Sequence, residues 1–286
     1  MRRRIVSALL LVAALFVGLV GAPARADTKD RPVRKDPSSI VSLSPTATEM
    51  LFAVGAGKQV KAVDDQSDYP PKAPRTDLSG FNPNVEAIAS YRPDLVVLSD
   101  NTVEDGLKQL GIKVLVQPAA TTLNDSYKQI RALGKATGHE AAAKRVIDKM
   151  KSGISDAKAE VPKRSKKPTV YYELDDTYFS ATSKTFIGQV LSLAGLANIA
   201  DKAGADAADY PQLSAEYIVS SSPDYIFLAD GQCCGQTPET VAARPGWSDI
   251  KAVRNQHVNV LNDDLASRWG PRVVDLLNTI VNDTKR

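Results

Sequence analysis

Short apolar runs, rich in β-branched and aromatic residues, recur along this chain and alternate with helical patterns. Such runs between turn residues are typical of strands buried in a parallel sheet. Strands that alternate with helices indicate an α/β fold. The predicted strands are 39–43, 60–63, 95–99 and 112–117 in the first half, and 169–173, 225–228 and 258–261 in the second.

A helix is predicted directly after the first strand. Thr46 and Glu49 have the spacing of a capping box, in which each side chain accepts from the backbone N–H of the other residue. Gly55 is a residue type that commonly ends a helix. A second helix is predicted over about 186–193, after the strand at 169–173.

One segment of the first half is repeated in the second. Residues 86–100 align with 216–230 without a gap, and seven of fifteen positions are identical. Each copy predicts a short helix stopped by Pro93 or Pro223, then a buried strand that ends at an aspartate. A single repeated unit indicates two similar α/β lobes, because a solenoid would need more copies.

A long helix is predicted between the halves, over about 139–160, because apolar residues recur there at helical spacing. At 1.5 Å per residue this helix is about 30 Å long, which makes a stiff connection between the lobes. A ligand cleft is expected between them, where the carboxyl ends of parallel strands meet. The predicted division is an N-terminal lobe, a linking helix and a C-terminal lobe over 39–137, 138–162 and 163–286, respectively.

The N-terminus has the features of an export signal. Arginines precede a mostly apolar run at 5–20, and the small-residue site 24–26 follows it, which predicts cleavage before Asp27. A retained membrane anchor is the alternative, but the run is short for a span of about 20 residues. No cysteine follows the small residues for attachment of a lipid. Residues 1–26 are therefore predicted to be a signal peptide and 27–38 a flexible leader. The mature protein is expected to be soluble, in the periplasm or outside the cell envelope.

Charge does not favour nucleic acid as a partner. The chain has 36 Lys and Arg against 33 Asp and Glu, and four of the basic residues precede residue 27. The rest of the chain has a net charge of −1, which excludes a general basic surface for nucleic acid. Two histidines and two cysteines exclude a histidine-rich metal site and a disulfide-stabilised scaffold.

The sequence lacks the common enzyme motifs. It contains no G-x-S-x-G, Walker A or H-E-x-x-H motif, and two histidines leave little from which to build a hydrolase triad. An exported hydrolase is therefore disfavoured. A zinc or manganese receptor would need a set of His and carboxylate ligands that is missing. A ligand sensor or adhesion module of the same fold stays open as an alternative.

Six segments, in order along the chain, carry a family resemblance. They are 40–55 (IVSLSPTATEMLFAVG), 67–71 (SDYPP), 84–88 (NVEAI), 92–96 (RPDLV), 189–191 (QVL) and 268–272 (RWGPR). Through them the chain, from about residue 39 to its end, resembles the substrate-binding proteins of ABC importers for cobalamin, haem and ferric siderophores. The likeness is strongest to the cobalamin binders.

This resemblance implies two Rossmann-like α/β lobes bridged by a single long α-helix, the architecture of class III substrate-binding proteins. It also implies that the chain is a binding protein without a cofactor and not an enzyme. The cargo would be a small macrocycle or chelate, the partners an ABC permease with its ATPase, and the binding protein itself a monomer. In the family, a glutamate on top of each lobe docks onto arginines of the permease. The matching residues are Glu86 and Glu216, which open the two repeat copies. Two like charges related by a pseudo-two-fold suit a two-fold symmetric permease. Alternatively, each carboxylate only favours the first turn of its helix.

The resemblance also implies ligand-binding positions in the cleft. Aromatic side chains suit a flat macrocycle, and Arg268 suits a carboxylate, phosphate or amide oxygen. An ion pair with Asp264 is a second, compatible interpretation of Arg268. Several positions are more polar than in the cobalamin binders, so cobalamin, haem and a ferric siderophore all stay open. The implied ligand-binding residues are Gln66, Tyr69, Phe81, Asn101, Phe179, Tyr210, Asp264, Arg268 and Trp269.

Two adjacent cysteines, Cys233 and Cys234, follow the second repeat strand on a loop expected to face the cleft. They can form a tight disulfide ring or stay thiols, and oxidation is usual outside the cytoplasm. A thiolate could also ligate cobalt or iron, which would add both residues to the ligand-binding set. A rigid loop disulfide, a ligand contact and an intermolecular or incidental role all stay open.

Overall fold

Two four-stranded parallel sheets form the framework of the protein, in a computed structural model that describes residues 36–203 and 208–285. The strands are β1 (Ile40–Leu43), β2 (Val60–Val63), β3 (Leu95–Leu98), β4 (Lys113–Val116), β5 (Thr169–Glu173), β6 (Ala197–Asn198), β7 (Tyr225–Leu228) and β8 (Val258–Val260). The hydrogen-bonded order is β2-β1-β3-β4 in the first sheet and β6-β5-β7-β8 in the second. The two sheets therefore have the same topology, which confirms the predicted pair of Rossmann-like α/β lobes.

Helices connect most of the successive strands. The α-helices are α1 (Pro45–Ala53), α2 (Val85–Ser90), α3 (Glu104–Gln109), α4 (Leu123–Thr137), α5 (Glu140–Ala159), α6 (Phe186–Leu193), α7 (Ala215–Ser221), α8 (Gly231–Cys234), α9 (Pro238–Ala242), α10 (Lys251–Arg254), α11 (Asp263–Ser267) and α12 (Val273–Asp283). Short 3-10 helices occupy Ala56–Lys58, Ile199–Lys202 and Trp247–Asp249.

The apolar runs of the sequence form the centre of each sheet. Every residue of β1, β3 and β7 is buried, as expected for strands covered on both faces. Each of the seven predicted strands is present, within one residue at either end. Strand β6 was not predicted, because its two residues form no apolar run.

The repeat has a structural basis at the start of each central strand. A carboxylate oxygen of Asp94 accepts from the backbone N–H of Ser38 and Ser39, at 2.7 and 3.0 Å. In the second copy, Asp224 accepts from the backbone N–H of Thr169 at 2.8 Å. The Pro-Asp pair of each repeat therefore joins its own strand, β3 or β7, to the beginning of the neighbouring strand, β1 or β5.

The long helix α5 links the two lobes. It packs against α4 of the first lobe and α12 of the second, and it buries five side chains at helical spacing. Gly153 allows close approach of α12, because a Cβ there would lie 2.6 Å from Cγ1 of Val274. The predicted helix over 139–160 is confirmed, with 20 residues from Glu140 to Ala159.

The predicted capping box at the start of α1 is wrong. Ser44 is the N-cap, and its hydroxyl accepts from the backbone N–H of Ala47 at 3.3 Å. Pro45 then occupies the first helical position, where its fixed φ suits the helix and its missing N–H costs nothing. Glu49 is thereby free for a different role, described below. The predicted end of the helix is confirmed, since Gly55 directly follows the C-cap with a φ of 92°.

Within the described residues, no helix combines the length and apolar character needed to cross a bilayer. The predicted signal peptide, 1–26, lies outside the described residues, as does most of the predicted leader.

Candidate ligand-binding cleft

A cavity of about 460 Å³ lies between the lobes. Its first wall is built from segments that follow the carboxyl ends of β1, β2 and β3, and its second wall from α11 and the residues after it. This is the edge at which α/β sheets usually bind ligands. The lining residues are Leu43, Ser44, Pro45, Thr46, Asp64, Gln66, Gly80, Phe81, Ser99, Asp100, Asp264, Ser267, Arg268 and Trp269.

The cavity brings together five of the residues named from the sequence: Gln66, Phe81, Asp264, Arg268 and Trp269. Tyr69 instead lines a neighbouring cavity of about 280 Å³. The remaining residues, Asn101, Phe179, Tyr210, Cys233 and Cys234, do not line the larger cavity. Their involvement with a ligand stays a prediction.

Arg268 is held by acceptors from both lobes. Its guanidinium donates to Glu49 Oε1 at 2.9 Å, to Asp68 Oδ1 at 2.9 Å and to the backbone oxygen of Gln66 at 3.1 Å. It also bonds to Asp264, the ion pair considered in the sequence analysis. Only 9% of the residue is exposed. Arg268 therefore connects the second lobe to the first, beside any contact it makes with a ligand.

A second arginine completes this ion network. The Nε of Arg272 donates to Glu49 Oε2 at 2.8 Å, and a second nitrogen donates to Oε1. The guanidinium also lies 3.9 Å from the ring centroid of Tyr69, a cation–π contact. Glu49, 3% exposed, thus accepts from two arginines of the opposite lobe.

The ion pairs of Glu49 and Arg272 were not predicted from the sequence. A usable indication was present, because Glu49 is the only charged residue of α1 and directly precedes the apolar residues 50–53. A carboxylate buried at such a position needs a cationic partner.

Trp269 is held in place on the cavity wall. Its indole Nε1 donates to Gln129 Oε1 at 2.7 Å, and its backbone oxygen accepts from the hydroxyl of Ser126 at 2.6 Å. Both partners belong to α4 of the first lobe. A fixed indole offers a ligand ring an apolar face without a loss of side-chain freedom.

Two aspartates of the first lobe add negative charge to the wall. Asp64 is buried, which raises the pKa of its carboxyl group, although it accepts from the backbone N–H of Gln66 at 2.9 Å. Asp100 is exposed and accepts from the backbone N–H of Thr102 at 2.8 Å. The hydrogen bonds from Thr102 lower the pKa of Asp100, which keeps it ionised at neutral pH.

The repeat partner of Asp100, Asp230, has a different environment. It is fully buried, and neither carboxylate oxygen has a hydrogen-bond partner on another described residue. Burial raises the pKa of Asp230 to about 7, and the nearby charge of Glu173 adds to the effect. Glu173 is itself paired with Arg244, at 2.6 and 2.7 Å. Arg244 lowers and Asp263 raises the pKa of Asp230, both to a smaller extent.

This environment predicts a stability that depends on pH. The pKa of Asp230 in the folded state lies above the ordinary value of 3.8. The contribution of its protonated carboxyl group to folding stability is therefore complete below pH 3.8 and is lost as the pH rises to about 7. We expect Asp230→Asn to remove this loss. The free energy of unfolding of the variant, relative to that of the wild type, should be about 2 kcal/mol higher at pH 8 than at pH 5, measured by urea denaturation. The control Asp100→Asn should change stability by less than about 0.5 kcal/mol at either pH, and an equal response of both variants would contradict this account.

The two cysteines are joined in a disulfide between Cys233 and Cys234, one of the alternatives left open above. Both side chains are exposed on α8. The carboxylate of Asp263 accepts from the backbone N–H of Gln232 at 3.0 Å and of Cys233 at 2.8 Å. This anchors α8 to α11, the helix that carries Asp264. Among the described residues, no group of three or more His, Cys, Asp or Glu side chains is placed to hold a metal ion.

The two glutamates of the repeats, Glu86 and Glu216, lie in the first turns of α2 and α7 and are exposed. Neither is needed as an N-cap. The side chain of Asn84 caps α2 at 2.7 Å and that of Ser214 caps α7 at 3.1 Å. The carboxylates are thus open to an external partner, and both also favour their helix dipoles.

Two α/β lobes joined by one long helix, with a cavity between them at the carboxyl ends of the strands, define a two-lobed ligand-binding protein. The chain belongs to the family described as "Periplasmic binding protein", whose model matches residues 40–265.

Similar proteins include an uncharacterised ABC transporter substrate-binding lipoprotein of Bacillus subtilis. It is 32% identical over 91% of this chain and 85% of its own length. A cobalamin-binding protein of Halobacterium salinarum is 32% identical over 86% of this chain and 69% of its own. The crystal structure of a possible iron-binding, periplasmic solute-binding protein from Staphylococcus epidermidis superposes with a TM-score of 0.76 at 26% identity. That match covers 88% of this chain and all of the other.

Proposed function

We propose that this protein is the extracytoplasmic substrate-binding component of an ABC importer, and that it captures cobalamin in the cleft and delivers it to the permease. The observation that carries the proposal is the interlobe cavity, with Trp269 fixed on its wall and the ring of Phe81 at its edge. The cobalamin-binding relative from Halobacterium salinarum, which matches most of this chain, supports the same ligand.

Glu86 and Glu216 are proposed to be the permease contacts. Each lies exposed on the first turn of a helix, at equivalent positions of the two repeats. Their like charges suit two equivalent basic sites on a symmetric permease. A ligand sensor of the same fold would have no need of such a pair. The proposal includes an ATPase bound to the permease and no catalytic activity in this chain.

An iron chelate or haem is the second candidate ligand. The structural similarity to the Staphylococcus epidermidis protein, which is described as a possible iron-binding protein, favours it. The transport role and the proposed docking surface would then be unchanged, and only the cargo would differ.

An exposed aromatic ring provides the test of the proposed site. Phe81 is 93% exposed beside the cavity, and a ligand that covers it would bury a large apolar surface. We expect Phe81→Ala to weaken cyanocobalamin binding about tenfold, measured by isothermal titration calorimetry, with no change in thermal stability. The matched control is Leu110→Ala, since Leu110 is also an exposed apolar residue, at the end of α3 and away from the cavity. Equal affinities in the wild type and Phe81→Ala would reject this position for the ligand.

A further inference from the structure

The charged side chains on the cavity wall limit the kind of ligand that the cleft can accept. Among the described residues that line the cavity, Arg268 is the only cation. Its guanidinium is already bonded to Glu49, Asp68, Asp264 and the backbone oxygen of Gln66. A ligand carboxylate at Arg268 would have to share the guanidinium with the carboxylates of Glu49, Asp68 and Asp264, which already neutralise its charge.

The rest of the wall is acidic or neutral. Asp64 and Asp100 belong to it in addition to Asp264. Asp100 is the most open of these to a ligand, because it is exposed and accepts from the backbone N–H of Thr102 in its own loop. The ion network itself holds two arginines, Arg268 and Arg272, against three carboxylates. It therefore has no spare positive charge to offer.

Physical chemistry separates two kinds of ligand at such a wall. A carboxylate on the ligand would lose its water and meet like charges, which is unfavourable. An amide N–H or a cation would instead donate to the aspartates, and a hydrogen bond to an ionised acceptor is stronger than a neutral one. Specificity then comes from repulsion as well as attraction.

We infer that the cleft selects ligands whose periphery carries amides or positive charge, and that it rejects ligands whose periphery carries carboxylates, with Asp100 as a residue that determines this specificity. The inference rests on the proposed function, because it concerns the transported ligand at the same site. It separates amide-bearing corrinoids and cationic ferric chelates from haem, with its propionates, and from anionic ferric chelates.

Two corrinoids with one ring system provide the test. Dicyanocobinamide carries amides around the corrin ring, and dicyanocobyrinic acid carries carboxylates at those positions. With the full mature chain we expect the amide compound to bind at least about tenfold more tightly at low salt, measured by isothermal titration calorimetry. Raising the salt concentration should reduce this ratio. Equal affinities, or tighter binding of the acid, would overturn the inference.

The variant Asp100→Asn tests whether Asp100 determines the preference for the amide-bearing corrinoid. In Asp100→Asn the amide oxygen can still accept from Thr102, so the loop is expected to keep its shape and the thermal melt to be unchanged. We expect the affinity ratio of the two corrinoids to fall about threefold, through tighter binding of the acid. The control Asp105→Asn, at an exposed acidic residue of α3 that does not line the cavity, should leave the ratio unchanged. An unchanged ratio in Asp100→Asn would remove that residue from the inference.

Two further probes separate this inference from the proposed cargo. If neither corrinoid binds, a cationic ferric trihydroxamate and an anionic ferric tricatecholate should be titrated in the same way. Binding of the cationic chelate alone would overturn cobalamin as cargo and support the charge selection. Binding of the anionic chelate would overturn the charge selection and leave the transport role in place. Failure of all four probes to bind would overturn both.

Discussion

Replacement of Glu49 with glutamine is expected to lower the free energy of unfolding by about 3 kcal/mol. Glu49 is buried and accepts from Arg268 and Arg272, which belong to the opposite lobe. A neutral amide would no longer neutralise the positive charge of these guanidinium groups, in a site from which water is excluded. The loss of one partner from a buried ion pair is much more costly than the loss of an exposed pair.

An exposed ion pair supplies the control for this variant. Lys285 and Glu160 approach to 3.1 Å, but the side chain of Glu160 is 68% exposed. We expect Glu160→Gln to change stability by less than about 0.5 kcal/mol. Urea denaturation at pH 7 measures both variants. A loss below about 1 kcal/mol in Glu49→Gln would mean that the network does not hold the lobes together.

The second large effect is expected at the proposed permease contacts. The double variant Glu86→Lys/Glu216→Lys should reduce uptake of cyanocobalamin into proteoliposomes that contain the corrinoid-importing permease and ATPase by at least about tenfold. Each reversal replaces an attraction to a basic permease site with a repulsion. Each single variant should lose less, because the other lobe still docks. Ligand affinity should be unchanged, since neither residue lines the cavity.

A matched double variant controls for net charge in this experiment. Glu140 and Glu239 are also exposed acidic residues in the first turns of their helices, α5 and α9. Glu140→Lys/Glu239→Lys therefore makes the same change in charge at the same kind of position. It should leave uptake close to that of the wild type. Equal losses in the two double variants would show that general charge, and not docking at Glu86 and Glu216, controls uptake.

Much of the fold follows from local features of the sequence. The strands were predictable because each central strand is a continuous apolar run, and such a run can only be buried. The repeat predicted two lobes, and its aspartate accepts from the equivalent backbone N–H in both copies, that of Ser39 or that of Thr169. The linking helix was predictable from the spacing of its buried residues.

Contacts between distant segments could not be predicted in the same way. Glu49 and Arg268 are 219 positions apart, so local spacing favoured a capping box, while Ser44 already supplied the cap. The repeat also does not distinguish Asp100 from Asp230, although one is exposed and the other is buried. Burial at that position depends on the segments that pack around it, such as those that carry Glu173 and Arg244.

Part of the candidate site was predictable from the order of the strands and helices along the chain. Gln66 and Phe81 belong to the segment after β2, and residues 264–269 belong to α11 and the residues after it; these two segments meet at one cavity. Phe179 and Tyr210 were named by resemblance alone, and both are exposed at positions that do not line this cavity. Their loops take conformations that the strand pattern does not determine.

The most direct test of the proposed function is a titration of the purified chain from Asp27 onward with cyanocobalamin, monitored by calorimetry and by tryptophan fluorescence. Trp269 lines the cavity while Trp247 is fully buried in the second lobe, so Trp269→Phe should remove most of the fluorescence change. Haemin and a ferric siderophore serve as comparisons. We expect saturable binding of one cyanocobalamin per chain with a Kd on the order of 1 µM or tighter. A folded protein that binds haemin or the siderophore but not cyanocobalamin would contradict cobalamin as the cargo, and one that binds none of the three would contradict the transport role itself.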